Sequence, residues 1–438
     1  MSIELVTLAL FGGMLLMMAL GTRVFFAMGA ISVIVVLIIS GTSGLLLVAL
    51  TTFNQITNTS LITIPLFVLM GNLMVHSGIA DRLFTGLNHW LSGIRGSLAI
   101  VSLGVCVGLA MAGGFGPGLL TMGIIAVPAM LKRGYSKDFA LGSVMAGGIL
   151  GDVIPPSLML IILGSITRQS IGRLFFGALI PGFICAAIYA LYILIRAYLQ
   201  PEIAPRSKEK VTWAMRWSGL KEIVIPALIV VAVLGSIFFG IATPAESASV
   251  GALGALIAVF IYKRFSRKVL FDSTKETIRI TGMALMILVA ATLFSNVYAS
   301  AGAQNLIVGL VSGMEINRWF ILIGMQIILL ILGMFMDDFA IITIASPIFL
   351  PIAVSLGWDP IWFSIVFILN MQIAYMTPPF GWCLILMKGI APEGVTTGEI
   401  WHSVPPWIGM QLIVLALVMV IPSLALWMPG IMIGGAGT

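Results

Sequence analysis

The chain has 438 residues, of which 60% are hydrophobic and 9% are charged. Soluble domains average about 25% charged residues, so this composition excludes a soluble globular protein and indicates an all-α polytopic membrane protein. The net charge of +6 is no evidence for nucleic acid as a partner, because the cytoplasmic loops of membrane proteins are enriched in Lys and Arg.

The first part of the chain predicts membrane helices followed by an interfacial arm. Residues 5–75 contain three long apolar stretches, which we interpret as scaffold helices. The stretch 5–20 has no basic residues before it and no small-residue cleavage site, so it predicts a retained helix rather than a signal peptide. Residues 82–95 contain Trp90 between basic ends and predict an arm that lies along the membrane interface.

A hairpin and an interrupted helix come next. Two apolar stretches joined by "GGFGPG" predict a helical hairpin over 97–131, with its tip at 113–118. The apolar segment 139–166 contains Asp152 and the adjacent helix breakers Pro155 and Pro156, so it predicts a broken helix. The first half, 1–200, ends with helix 174–196 and is followed by a cytoplasmic linker at 201–222.

The second half of the chain, 223–438, predicts the same order of elements. Its hairpin has "MDDFAI" at the tip, and its broken helix contains "MTPPFG". The predicted elements are scaffold helices 223–299, hairpin 319–353, broken helix 361–387 and helix 403–428.

A constant offset relates the two halves. Pro155 and Pro378 are 223 residues apart, as are Gly134 and Gly357. The same offset carries the first hairpin tip onto "MDDFAI". Weak internal symmetry of this kind is typical of transporter repeats.

The distribution of basic residues indicates how the halves are oriented. If both hairpins are re-entrant, 19 of the 22 Lys and Arg residues face the cytoplasm, and only Arg168, Arg173 and Arg318 do not. This bias agrees with the positive-inside rule. The repeats are therefore predicted to have inverted topology.

The interruptions predict binding sites at the membrane midplane. Irregular backbone is tolerated there only around a cavity or a bound ion. We expect each proline pair to start a second half-helix, whose N-terminus carries roughly half a positive charge and attracts an anion. The residues expected to bind substrate are Pro155, Pro156, Ser157, Pro378, Pro379 and Gly381.

Acidic and carbonyl-rich positions at the tips and breaks predict sodium sites. Carboxylates inside a membrane are expensive and usually functional, and the carbonyls freed by a helix break suit Na⁺. Asn72 is a weaker candidate for an ion ligand, since hydrogen bonding between helices explains its presence equally well. The candidate ion ligands are Gly113, Gly114, Gly116, Asp152, Asp337, Asp338, Asn370 and Thr377. No other cofactor is expected.

Several phrases, taken together and in order, resemble a known family. They are "IPLFVLMGNLM", "VPAMLKRGYSKDFA", "GDVIPPSLML", "GRLFFGALIPG", "TPAESASVGALGA", "GMFMDDFAIITIASPIFLP" and "NMQIAYMTPPFGW". The chain is similar over nearly its whole length to the large membrane subunit of tripartite ATP-independent periplasmic (TRAP) transporters.

The resemblance implies a sodium-driven importer of small organic acids that works by an elevator motion in the bacterial inner membrane. It implies two partners, a soluble periplasmic substrate-binding protein and a small four-helix membrane subunit, here as a separate chain. It also implies one sodium site near each hairpin tip, with Asp337 as the acid of the second tip. Two residue patterns depart from the family. The first tip has no side-chain oxygen, so sodium there would rely on carbonyls, Thr121 or Asp152, and the second tip has Asp338 where Thr is more usual.

Two alternatives stay open from the sequence. A stand-alone sodium–carboxylate symporter would need no soluble protein. An intramembrane aspartyl protease would use two buried acids, but the glycines before Asp152 do not have the protease spacing. The three histidines have no metal-ligand spacing, and no phosphate-binding loop is present in the sequence.

Overall fold

The structure is a computed structural model that describes residues 3–113, 115–206, 211–302, 309 and 316–432. Every regular element within these ranges is a helix, and nine of the described helices are long and apolar enough to cross a membrane. This confirms the prediction of an all-α polytopic membrane protein. Both predicted hairpins and both broken helices are present.

The helices of the first half match the predicted segments with two differences. The last of the three apolar stretches predicted within 5–75 is two helices, because Asn58 accepts a hydrogen bond from Ser60 N (3.0 Å) and starts a new turn. The interfacial arm is a helix that begins before residue 82. The bounds are Ile3–Ala19, Val24–Ser40, Leu45–Ile56, Thr63–His76, Ile79–Leu91, Ser97–Gly113, Phe115–Lys132, Lys137–Ile149, Leu158–Thr167 and Ile171–Leu199.

The second half begins earlier than the sequence predicts. A helix starts at Trp213, inside the predicted linker 201–222, because the Thr212 side chain accepts a hydrogen bond from Met215 N (3.4 Å) and caps it. The predicted helix 403–428 is interrupted near Pro422. The bounds are Trp213–Phe238, Pro244–Ile261, Arg267–Ser300, Arg318–Phe335, Asp338–Ser355, Pro360–Met376, Trp382–Ile390, Thr397–Ser403, Pro405–Val420 and Ser423–Ile431.

The helix bounds follow the offset seen in the sequence. Phe115–Lys132 and Asp338–Ser355 differ by 223 residues at both ends. The turns that follow these helices each contain a glycine with φ +83°, Gly134 and Gly357, a conformation that strongly favours glycine. The two halves therefore share local structure as well as sequence spacing.

The hairpins and broken helices pack together across the halves. Each hairpin contacts the first half-helix of its own broken helix. In addition, Leu158–Thr167 packs on Asp338–Ser355, and Trp382–Ile390 packs on Phe115–Lys132. The second half-helix of each half thus lies against the hairpin of the other half, and these elements form one packed body, which we call the core.

The scaffold helices pack on one another and on the hairpins of the core. Thr63–His76 packs against both Pro244–Ile261 and Arg267–Ser300. The arm helix Ile79–Leu91 lies on Trp213–Phe238 at a close crossing, where an added Cβ on Gly219 would be 2.7 Å from the carbonyl oxygen of Gly86. An ion pair between Arg82 and Glu222 (3.1 Å) spans the same crossing.

Candidate functional site

The first helix break is fully buried. Lys137–Ile149 gives way to a 3₁₀ turn that ends at Asp152, and the second half-helix starts at Leu158. Ser157 is its N-cap: its Oγ accepts a hydrogen bond from Leu160 N (3.3 Å) and donates one to the Asp152 carbonyl (2.6 Å). Pro155 and Pro156 therefore lie before the cap. The expectation that they occupy the first helical turn is wrong, because the serine hydroxyl satisfies the orphan N–H there.

The second helix break has the same layout but is partly exposed. Thr377 Oγ1 donates to the Ile373 carbonyl (2.7 Å), and Gly381 is the N-cap of the next half-helix, so these prolines too precede the cap. Pro378 is half-buried and Pro379 is exposed. Both proline pairs contain a cis peptide bond.

Gly381 lies at a close backbone approach. A Cβ at this position would overlap the carbonyl oxygens of Tyr375 and Thr377. The two carbonyls thus converge at the start of the half-helix, where the chain has room for no side chain. Converging carbonyl oxygens are the groups that bind Na⁺ in broken helices.

The first hairpin tip contains three candidate ligands. Gly113 ends the helix Ser97–Gly113, and Gly116 is half-buried in the first turn of Phe115–Lys132. Gly114 lies outside the described residues.

The two acids of the second tip have different environments. Asp337 is the N-cap of Asp338–Ser355, its Oδ1 accepts a hydrogen bond from Ala340 N (2.8 Å), and its side chain is exposed. Asp338 is the first helical residue, is 4% exposed and points into the core. The two adjacent acids therefore differ in exposure, with Asp337 exposed and Asp338 almost fully buried.

Asp338 and Asp152 come from different halves of the chain and are both buried. The two carboxyls are close enough to interact electrostatically, and the Tyr375 hydroxyl interacts with that of Asp338. Asp152 is 3% exposed. One carboxylate oxygen of each acid is buried without a hydrogen-bond partner among the described residues, and neither acid forms an ion pair with them. Two like charges in a dry site are unfavourable, so this pair would be stabilised by a proton or by a bound cation.

Tyr375 also belongs to this site, and the sequence contains a signal for it that the motifs above do not include. Tyr375 is 223 residues after Asp152, so the two are equivalent positions in the two halves. The same offset relates Ile149 to Gln372, whose Nε2 donates to the Ile149 carbonyl (2.6 Å). Gln411 donates to Gln372 in turn. Equivalent positions thus contact each other directly at the centre of the core.

Asn370 lies away from the break. Its Nδ2 donates to both the carbonyl and the side-chain oxygen of Gln326 (2.7 Å each), which joins the second broken helix to the second hairpin. It is seven residues before Thr377, about 10 Å along a helix. The structure therefore does not bring Asn370 to the converging carbonyls, although its Oδ1 is buried without a partner in the described part of the chain. Asn72 likewise bonds to the scaffold, through Thr277 Oγ1 (3.0 Å).

A cavity of about 870 Å³ separates the second tip from the scaffold, and we call it the central cavity. Scaffold residues from 22–25 and 276–287 form one wall. Asp337, Asp338 and Trp382 lie in the core wall, and Arg23 and Arg279 are the basic residues of the scaffold wall. The cavity thus reaches the start of the half-helix Trp382–Ile390.

Two hairpins that face two interrupted helices, with buried acids and converging carbonyls beside a large cavity, define a membrane transporter. The fold agrees with this class. It is similar to the crystal structure of the YdaH transporter of Alcanivorax borkumensis, described by its title as having an unusual topology. That similarity has a TM-score of 0.63 at 13% identity and covers 89% of this chain and 90% of the other.

Residues 11–424 match the family described as "Tripartite ATP-independent periplasmic transporter, DctM component", and the chain belongs to that family. It is therefore a large permease subunit of a TRAP transporter and a multi-pass membrane protein. This confirms the resemblance found in the sequence.

Similar proteins differ in the substrates that their names give. The C4-dicarboxylate large permease DctM of Pseudomonas aeruginosa is 34% identical over 385 residues, covering 84% of this chain and 86% of the other. The sialic acid large permease SiaM of Vibrio cholerae is 30% identical, covering 91% and 92%. The ectoine large permease TeaC of Halomonas elongata is 28% identical, covering 84% and 86%. Membership of the family thus leaves the substrate open.

Proposed function

We propose that this permease uses a sodium gradient to take up a small organic acid that a periplasmic substrate-binding protein delivers. The observation that carries sodium coupling is the buried pair Asp152 and Asp338, which has no basic partner among the described residues. A cation between or beside them removes the repulsion and stabilises the contact between the two halves.

The proposed ion sites use the tips and the breaks. At the second tip the ligands are the carboxylate of Asp337, which lines the cavity, and the carbonyls that converge near Gly381. At the first tip they are backbone carbonyls around Gly113–Gly116, with the side chains of Thr121 and Asp152 as further ligands. Asp338, on the buried side of the second tip, would contribute negative charge that attracts the same sodium ions.

The proposed substrate site lies between the two half-helix N-termini. Ser157 and Gly381 begin these half-helices, and each N-terminus presents a partial positive charge to a carboxylate. The central cavity touches Trp382 at the second N-terminus. The first N-terminus is buried in this structure.

The proposal also includes that the two halves are inverted repeats and that transport occurs by an elevator motion of the core. The shared helix bounds and the 223-residue offset support the repeat, and the location of 19 of the 22 basic residues supports inverted topology with re-entrant hairpins. On this topology Arg23 and Arg279 are cytoplasmic, so the central cavity faces the cytoplasm. The core would then slide past the scaffold to face the periplasm.

Uptake into proteoliposomes tests the proposal. The vesicles would contain this chain and a small four-helix membrane subunit, with an inward sodium gradient and labelled organic acids outside. Uptake that requires both sodium and the soluble binding protein is the expected result. Uptake without the soluble protein would instead identify a stand-alone symporter. Uptake that does not depend on sodium would overturn the proposed sodium coupling.

A further inference from the structure

A second cavity, of about 540 Å³, lies at the C-terminal end of the half-helix Leu158–Thr167, and we call it the outer cavity. It shares no lining residue with the central cavity. Its walls come from the scaffold at 58–63 and 243–245 and from the core at 164–171. Volumes of this size are typical of small-ligand sites.

Three helices begin at this cavity. Helix Thr63–His76 continues from a 3₁₀ turn capped by Asn58, Ser170 is the N-cap of Ile171–Leu199, and Thr243 is the N-cap of Pro244–Ile261. The residues at these helix starts all line the cavity: Asn58, Thr63, Ser170 and Thr243. Each helix start carries roughly half a positive charge, and several N–H groups remain for a ligand.

The charged side chain in the lining is also positive. Among the described residues that line the cavity, Arg168 alone is charged, and its side chain is exposed. It has φ +55° as the C-cap of Leu158–Thr167. The nearby Glu246 does not line the cavity, and its carboxylate is held by the Thr243 N–H (2.8 Å) and hydroxyl (2.9 Å).

Two polar atoms in the wall have no protein partner. Thr63 is 0% exposed and its hydroxyl has no hydrogen-bond partner among the described residues. The Oε1 atom of Gln169 is likewise buried without a described partner. A buried hydroxyl without a partner costs about 1–3 kcal/mol, so the Thr63 hydroxyl is a donor available to an anion, whereas the Gln169 oxygen can only accept and is not part of the proposed contacts.

The polar lining is not a requirement of the fold. Ser60 and Thr63 correspond, by the 223-residue offset, to Met283 and Met286, which line the central cavity. The same scaffold positions are therefore apolar in one half and hydroxyl-bearing in the other. This contrast favours a binding role for the hydroxyls over a packing role.

We propose that the outer cavity is a second anion site, which binds a small soluble carboxylate through Arg168, the Thr63 hydroxyl and the three helix starts. Its place on the periplasmic side, and its role in capturing the anion before the proline breaks, rest on the proposed function. Binding itself does not depend on transport.

The test is ligand-induced stabilisation of the full chain in nanodiscs of zwitterionic lipid, so that no anionic headgroup competes. Choline replaces sodium, and the unfolding midpoint is followed as succinate is added. We expect a saturable rise, weakened about tenfold or more in half-saturating concentration by Arg168→Gln, because a hydrogen bond to a charged group is lost. Thr63→Val should weaken it several-fold.

Arg173→Gln is the matched control, since it removes the same charge five residues away and Arg173 does not line the cavity. An unchanged succinate response in both Arg168→Gln and Thr63→Val would overturn the proposal. Equal weakening by Arg173→Gln would also overturn it, by showing a general charge effect. Because the assay contains no sodium and no gradient, its outcome is separate from the uptake result.

Discussion

Replacing Asp337 tests the second ion site, and two substitutions separate its two roles. Asp337→Asn keeps an oxygen that can accept the hydrogen bond from Ala340 N (2.8 Å) but removes the charge. Asp337→Ala removes both. Two unit charges 4 Å apart attract by about 4 kcal/mol at an effective dielectric constant of 20. Because Asp337 is exposed to the cavity, water screens this attraction to about 1–2 kcal/mol, which is roughly tenfold in sodium affinity.

Both variants should therefore need about tenfold more sodium for half-maximal uptake. Asp337→Ala should in addition lose about 1 kcal/mol of stability, because the helix cap is gone. The assay is proteoliposome uptake over a range of external sodium, with the unfolding midpoint measured on the same protein. A sodium dependence that is unchanged in both variants would refute Asp337 as an ion ligand.

Asp359→Ala is the control for capping. The Asp359 carboxylate caps Pro360–Met376 by accepting hydrogen bonds from Ile361 N (2.8 Å) and Trp362 N (3.1 Å). It does not line the central cavity. This variant should lower stability like Asp337→Ala and leave the sodium dependence of uptake unchanged. A shifted sodium dependence here would mean that loss of any helix cap mimics loss of an ion ligand.

Three further substitutions test the buried site. Asp338→Asn should raise the unfolding midpoint in choline buffer and reduce the rise that sodium produces, because it relieves repulsion in the acid pair; an unchanged sodium response would contradict this. Gly381→Ala should lower uptake about tenfold or more, since its Cβ meets two backbone carbonyls, whereas Gly389→Ala has open space and should retain uptake. Gln372→Leu should cost about 2–4 kcal/mol in thermal unfolding, because it leaves the Ile149 carbonyl and the Gln411 amide without their partner; an unchanged unfolding midpoint would contradict this.

The sequence was sufficient to predict the hairpins and breaks because these features depend on spacing. The paired prolines at each break, the glycine-rich first tip and the polar second tip are related by the offset, whereas single prolines such as Pro128 and Pro181 lie inside helices without ending them. The ends of the half-helices were less predictable. They depend on which side chain caps the first turn, and a serine directly after two prolines competes with the prolines for that role.

The environments of Asp337 and Asp338 could not be predicted from their order alone. The residue at the N-cap turns its side chain back to the helix start, while the next residue already has helical geometry and points into the core. A helix that began one residue later would make Asp338 the cap instead of Asp337. The contact between Asp338 and Asp152 depends further on how the two halves pack, which no local pattern contains.

The difference between the two breaks bears on the transport cycle. Asp152, Pro155 and Ser157 at the first break are buried, whereas Pro379 at the second is exposed and Trp382 lines the central cavity. In a protein built from inverted repeats, the opposite state would exchange these environments. On the proposed elevator motion, the first broken helix and the second hairpin, which carry the two buried acids, would move together as parts of the core. A cation that neutralises the pair would favour movement of the core as one body, which couples ion binding to transport without a separate gate.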